Sequence, residues 1–426
     1  MTSAELKAKL KYIDIEYIYA CKEDDRQHYI ERFEKVIDGF LGTFGESDDL
    51  RLFSAPGRTE IGGNHTDHQR GAVLAGGLNL DVIGAVKPNG MNQIRVKSEG
   101  YPMDIVNLSE LEPNEAEYGR SEALLRGIAA RFKEMGYELS GFDAYTASSV
   151  LKGSGMSSSA AYEVLLGNIM NALYADGKVN PVEIAKIGQY AENVYFGKPC
   201  GLLDQMASSV SGMVAIDFAD KEKPVVEKID FDFAKTNHAL CIIDTGADHS
   251  DLTDEYAAIT VEMRKVANFF GKDVLNEVSK DEFMAKIKDI RNAINDDRAV
   301  LRAFHYFNET QRAKEEAKAL KDGDFDKFLK IVKKSGLSSY TYLQNVFAAS
   351  MPNSQAVSLS LALCDDILGE RGAYRVHGGG FAGTIQAFVP FDLLNEFKTK
   401  IENVLGQGMC HVLSIRPVGG CEIKLK

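Results

Sequence analysis

Gly153-Ser154-Gly155-Met156-Ser157-Ser158-Ser159-Ala160-Ala161 is the stretch on which the reading of this chain turns. An alternating, strand-like run from Phe142 to Leu151 precedes it, and Leu165, Ile169 and Leu173 recur after it at helical spacing. A strand, a glycine-serine turn and a helix start make an anion site. Glycine lets the backbone approach phosphate oxygens, and the first helical N–H groups lack intrahelical partners. The helix dipole adds positive potential there, and serine hydroxyls add donors and metal-ligand oxygens. The plainer alternative is a helix that serine merely caps.

Composition narrows the function classes. The chain has 426 residues, enough for two domains, and 45% hydrophobic residues, ordinary for a globular protein. A net charge of −13 argues against a broad nucleic-acid footprint and against an anionic membrane surface, though not against a nucleotide held by local positive potential. No apolar run is long enough to span a bilayer, and the first residues carry no signal-peptide core. The six cysteines are scattered with no CxxC pair, so they read as reduced thiols in a cytoplasmic protein.

Upstream, the sequence reads as a short extension over residues 1–24, then a helix carrying Tyr29, Phe33, Ile37 and Phe40. Leu52-Phe53-Ser54 reads as a short strand broken by Ala55-Pro56-Gly57. Next comes a polar loop, Gly57-Arg58-Thr59-Glu60-Ile61-Gly62-Gly63-Asn64-His65-Thr66-Asp67-His68-Gln69, followed by the apolar run Ala72 to Val86. A loop so dense in hydrogen-bonding groups beside buried strands suits a polyol; the alternative is a solvated loop. Pro88-Asn89-Gly90 reads as a hairpin turn into a strand from Gln93 to Ser98.

Downstream, Pro199-Cys200-Gly201-Leu202-Leu203-Asp204-Gln205 places an acid and an amide just after a turn, and Glu192 precedes Asp204 by twelve residues. Either acid could instead be a helix cap or a solvated face residue. Asp248, Ser250 and Asp251 precede a helix carrying Tyr256 and Ile259. Gly378-Gly379-Gly380-Phe381-Ala382-Gly383 lies between two strand-like segments, where glycine implies close backbone approach. There is no Walker lysine loop, no GxGxxG after a first strand and no protein-kinase signature. What remains is a phosphate-type turn, two separated acids, Arg58 and a polyol loop. Phosphoryl transfer needs those parts: positioning, a metal on the phosphates, a cation for developing charge and a group that orients or deprotonates the hydroxyl.

These four segments resemble, in order, the GRVNLIGEHTDY, GGGLSSSAS, PCGxxDQ and GAGFGG motifs of the galactokinases in the GHMP small-molecule kinase family, and Arg302-Ala303-Phe304-His305 is similar as well. The resemblance implies an α+β, two-domain GHMP-kinase fold with the active site in the interdomain cleft. Expected domains are 25–225 and 226–426 after the 1–24 extension. It implies an ATP-dependent kinase acting on the anomeric hydroxyl of D-galactose, with Mg²⁺, as a monomer. Gly153, Ser154, Gly155, Met156, Ser157, Ser158 and Ser159 would cradle ATP, with Ser98 touching the nucleotide. Ser159 and Glu192 would bind Mg²⁺. Asp204 would be the base with Arg58 beside it, and Glu60, Asn64, His65, Thr66, Asp67 and Tyr256 would hold the sugar.

Three positions depart from the motifs. Asn64 stands where the family has Glu, Glu60 where it has Asn, and Ala382 where it has Gly. Asn64 could hydrogen-bond a sugar hydroxyl without charge, and it would tolerate a C6 carboxylate that Glu repels. A galacturonate kinase is therefore the rival enzyme, supported by the likeness of Asp67-His68-Gln69 to such kinases. A catalytically silent sugar sensor is the rival of another class; the intact serine turn, Glu192, Asp204 and Arg58 argue against it.

Overall fold

The computed structural model describes residues 1–151, 155–198, 200–220, 222–247 and 252–425. Gly153 and Ser154 of the serine turn, and Asp248, Ser250 and Asp251, lie outside the described residues.

Among the described residues twelve strands build two sheets: β1 (Arg51–Gly62), β2 (Ala72–Pro88), β3 (Gln93–Ser98), β4 (Met103–Asn107), β5 (Phe142–Ser148), β6 (Met213–Asp217), β7 (Val225–Ile229), β8 (His238–Asp244), β9 (Ala373–Val376), β10 (Thr384–Pro390), β11 (Cys410–Leu413) and β12 (Cys421–Ile423). The first sheet runs β12-β1-β2-β5-β3-β4, with β6 and β7 continuing from β2; the second runs β11-β8-β10-β9. Among the described residues of the second half more are helical than in strands, and the whole is the α+β arrangement expected. β7 straddles the expected boundary at residue 225 and pairs with β6, while β12 carries the chain's end back to β1.

The run Ala72 to Val86 is apolar apart from Asn79 and Asp81 because β2 is covered on both faces. Val82 and Val86 face the core beneath the helices Ser121–Glu134 and Ser158–Tyr174; Ile83 and Ala85 face a second core beneath Arg26–Phe44. That second core takes in residues 1–24, which read as an extension in sequence. They form helices Ser3–Lys9 and Ile15–Tyr19, burying Leu6, Leu10, Ile15 and Tyr19. Tyr19 OH donates to Asp81 Oδ2 at 2.6 Å, beside Arg32 and Arg416 on the same carboxylate.

Two local expectations change. β1 does not break at Pro56 but runs on to Gly62, absorbing the proline through an irregularity between Pro56 and Arg58. β2 and β3 are not a hairpin. β5 inserts between them, antiparallel to β2 and parallel to β3. Asn89 in the turn donates to Asp143 Oδ1 at 2.7 Å, tying the connection to the inserted strand.

Candidate active site

β1 delivers Arg58 to the serine turn. Arg58 N–H donates to Met156 O at 3.1 Å, and Arg58 Nη1 also donates to Gly155 O. Ser157 precedes the helix Ser158–Tyr174. Ala161 N–H is bonded to Ser157 O at 3.1 Å, leaving the amides of Ser158, Ser159 and Ala160 at the open helix start. Asp204 enters from the first turn of the helix Leu203–Val210. Arg58 Nε donates to its Oδ1 at 2.7 Å and Ser157 Oγ to its Oδ2 at 2.5 Å. The carboxylate stays open to the cleft, its side chain 36% exposed against 8% for Arg58. Burial pushes the Asp204 carboxyl up, but the Arg58 guanidinium and Ser157 outweigh it and hold it below the usual carboxylate range.

Asp67 stands across from Asp204. A Cβ on Gly201 would lie 2.2 Å from Asp67 Oδ2, so glycine here lets the carboxylate sit where it does. Burial first, and then the Asp204 charge, raise Asp67 to about 6. His65 has φ +57°, and its Nε2 contacts Gly379 O at 3.0 Å. A carbonyl only accepts, so Nε2 carries the proton. Burial lowers His65 to about 4, so the ring is neutral at pH 7 and Nδ1 is an acceptor. Tyr256, on the helix Thr253–Phe269, donates to Gly380 O at 2.9 Å. Arg58, Ser157, Asp204, Asp67, His65 and Tyr256 thus converge where the first sheet's polar loop meets the turn after β9.

Sequence comparisons give this constellation a family. The model of the GHMP kinases N terminal domain matches residues 123–212, and the galactokinase galactose-binding signature matches residues 38–88. A galactokinase from Streptomyces coelicolor is 32% identical over 82% of this chain and 88% of its own length. The chain belongs to the galactokinase family. A Clostridium tetani galactokinase is 27% identical over 85% of this chain and 90% of its own. The crystal structure of Lactococcus lactis galactokinase complexed with galactose shares the fold, with TM-score 0.77 at 24% identity, covering 92% of this chain and 100% of that one. Methanococcus jannaschii mevalonate kinase has TM-score 0.61 at 17% identity, over 86% of this chain and 98% of that one.

Within this galactokinase-family site, three expected sugar contacts take other partners. Asn64 and Thr66 are 0% exposed and Glu60 only 6%. Thr66 Oγ1 donates within the loop, to Gly63 O at 2.9 Å and Ala72 O at 2.8 Å. Asn64 Nδ2 donates to Glu60 Oε1 at 2.9 Å, and Glu60 pairs with the buried Arg375. The polar loop needs this interior support because its own backbone turns sharply at Gly63 (φ +88°). Ser98 sits lower on the sheet, sharing a bond with Thr146 Oγ1 at 2.9 Å.

Glu192 lies on a π-helical turn, Ala191–Tyr195, a local form common at functional positions. It is 3% exposed; Lys198 Nζ lies 3.2 Å from Oε1 and Gln205 Nε2 donates to Oε2 at 2.8 Å. Gln205 also donates to Glu163 Oε2 at 2.9 Å, and Gln205 Oε1 and Glu163 Oε1 have no hydrogen-bond partner among the described residues. Glu192, beside the orphaned oxygens of Gln205 and Glu163 and with the Ser159 hydroxyl on the first turn of Ser158–Tyr174, offers oxygen donors of the kind Mg²⁺ takes, although among the described residues no cluster of three His, Cys, Asp or Glu side chains gathers around a metal position.

Sequence reading missed the layer behind the loop. Glu309 Oε1 accepts from Gly63 N–H at 3.1 Å, Asn64 N–H at 3.4 Å and Ser335 Oγ at 2.5 Å, and its Oε2 from Arg312 Nε at 2.7 Å. His305 Nε2 meets Asn64 O at 2.9 Å. His377 Nε2 meets Thr59 Oγ1 at 3.1 Å. Only the Arg302–His305 element gave a signal in the sequence.

Proposed function

We propose that this chain is an ATP-dependent sugar 1-kinase whose substrate is D-galactose, phosphorylated on its anomeric hydroxyl. The observation that carries this reading is Asp204, gripped by Arg58 and Ser157 yet open to the cleft at the seam between polar loop and serine turn.

In this reading the amides at the start of Ser158–Tyr174 receive the ATP phosphates. Asp204, ionised at neutral pH, accepts the anomeric proton as the hydroxyl attacks phosphorus. Arg58 stabilises the negative charge that develops between them. Asp67 and His65 Nδ1 accept from sugar hydroxyls. Ser159 and Glu192 would hold Mg²⁺, which when bound neutralises phosphate charge during transfer. Among the described residues no helix is long and apolar enough to cross a membrane.

A side-by-side assay of ATP-dependent phosphorylation of galactose, N-acetylgalactosamine, galacturonate, glucose and arabinose tests the proposal. Galactose is expected to give the highest kcat/KM with one ADP per sugar phosphate. A clear preference for galacturonate would overturn the substrate, and sugar binding without phosphorylation would overturn the enzyme.

A further inference from the structure

Glu60 and Asn64 hold each other, and neither is free to turn toward a ligand. Asn64 Nδ2 donates to Glu60 Oε1 at 2.9 Å and to Gly378 O at 2.7 Å. Asn64 Oδ1 accepts from Asn345 Nδ2 at 2.9 Å and from Ser339 Oγ at 3.3 Å. Both ends of the amide are therefore consumed inside the protein. Glu60 Oε1 also accepts from Arg375 Nη2 at 2.8 Å; that guanidinium is 0% exposed, and its Nη1 donates to Ile61 O at 2.6 Å. A buried charge separated from its partner is strongly destabilising, so Arg375 locks Glu60 in place.

What the pair reaches is the turn between β9 and β10. Three successive carbonyls of that turn each accept from a side chain: Gly378 O from Asn64, Gly379 O from His65 and Asn345, and Gly380 O from Tyr256. The turn has no slack, since a Cβ on Gly380 would lie 2.1 Å from Asn345 O. It also backs onto the serine turn, because a Cβ on Gly378 would lie 3.8 Å from Gly155 O. Asn64 thus fixes the first carbonyl of a row whose next two fix His65 and Tyr256. Positions 60 and 64 are also where the sequence departs twice from the family motif, with the acid and the amide exchanged. An exchange keeps one donor amide facing one carboxylate, while it withdraws the amide from Gly378 O and the carboxylate from Arg375, so it restores the pair only in part.

We propose that Glu60 and Asn64 are a matched positioning pair. Their bond, anchored by Arg375, fixes the Gly378–Gly380 turn that aims His65 and Tyr256 at the sugar, and residue 64 does not itself read the substrate. This rests on the sugar-kinase reading above.

The test is a double-mutant cycle in the full chain: Glu60→Asn, Asn64→Glu and the exchange carrying both. Galactose KM, ATP KM, kcat and Tm are measured for each. Asn64→Glu sets a second carboxylate against Glu60, and Glu60→Asn strips Arg375 of its partner. Each is expected to lower kcat/KM for galactose at least tenfold, mainly through galactose KM, with ATP KM within about twofold. The exchange is expected to recover at least fivefold over the worse single variant. Should the single variants fail to fold, recovery of Tm by the exchange reads the same coupling. Losses that multiply, in kinetics and in Tm alike, overturn the pair, as does a single Asn64→Glu variant that matches or exceeds wild type on galactose. Wild type inactive on galactose but active on another panel sugar overturns the substrate instead, and the cycle is then read on that sugar.

Discussion

Ser157 Oγ donates to Asp204 Oδ2 at 2.5 Å, joining the serine turn to the acid in the first turn of the helix Leu203–Val210 across 47 residues of sequence. The serine was expected only to serve phosphate. In the structure it holds the second oxygen of a carboxylate whose first oxygen Arg58 already holds. Ser157→Ala removes one of the groups that keep Asp204 ionised. The acid limb of the kcat profile is expected to move to higher pH and kcat to fall about tenfold, since a charge-assisted bond contributes roughly 1.5–3 kcal/mol. An unchanged acid limb and unchanged kcat would remove Ser157 from the site.

Asp204→Asn keeps the shape and one acceptor oxygen but cannot take a proton. The loss expected for a missing general base is roughly 10²–10⁴-fold in kcat. Galactose affinity, measured by calorimetry, should change little, because Asp67 and His65 remain. A variant within tenfold of wild type would leave Asp204 an orienting group in a loose transfer where the proton departs late.

The sequence carried this constellation further than it carried the fold's detail. Arg58, Asp204 and the serine turn were legible because their chemistry is written in residue type and local spacing. Asn64 reads as sugar-facing by its place in the galactokinase-like motif, whereas in the structure Asn345, Ser339 and Gly378 take both ends of its amide. Those partners lie over 270 residues away, beyond any local pattern. The β2–β3 hairpin failed likewise. A turn signal says that the chain reverses, not that no later strand enters the gap, and β5 does.

Asp67 sets a pH dependence. Burial raises its carboxyl to about 6, whereas Asp204 is held below the usual range. If ionised Asp67 receives sugar hydroxyls, kcat/KM for galactose is half-maximal near pH 6, approaches its full value about one unit above that, and falls about tenfold per unit well below it. Asp67→Asn should weaken galactose binding and flatten the profile between pH 5 and 7. A wild-type profile already flat over that range would exclude Asp67 from the sugar contacts.

Glu192 offers the test of metal binding. Glu192→Ala should lower kcat strongly and raise the Mg²⁺ concentration needed for half-maximal rate, while galactose binding without nucleotide persists. Retention of near-normal turnover at low Mg²⁺ would reassign Glu192 to holding Gln205 and Lys198 alone.

The helix Asp297–Lys321 carries two buried glutamates on one face, Glu309 and Glu316, in opposite states. Burial would raise Glu309, but Arg312, His305 and Arg375 more than offset it and lower the carboxyl from 4.5 to about 2. An acid depressed on folding contributes stability above its unfolded pKa and loses it as pH falls through the folded one. The Glu309 contribution is therefore full above about pH 4.5, gone near pH 2, and worth about 3 kcal/mol. Glu316 differs. Burial lifts it well above the usual range, and among the described residues neither of its oxygens has a hydrogen-bond partner, so the neutral form is the favoured one. Glu309→Gln should destabilise by about 3 kcal/mol in denaturant unfolding at pH 7, because Arg312 and the Gly63 amide lose a charged acceptor. Glu316→Gln exchanges one neutral group for another of the same size and should change stability by less than about 1 kcal/mol. Equal effects of the two substitutions would show that the two carboxyls share one charge state.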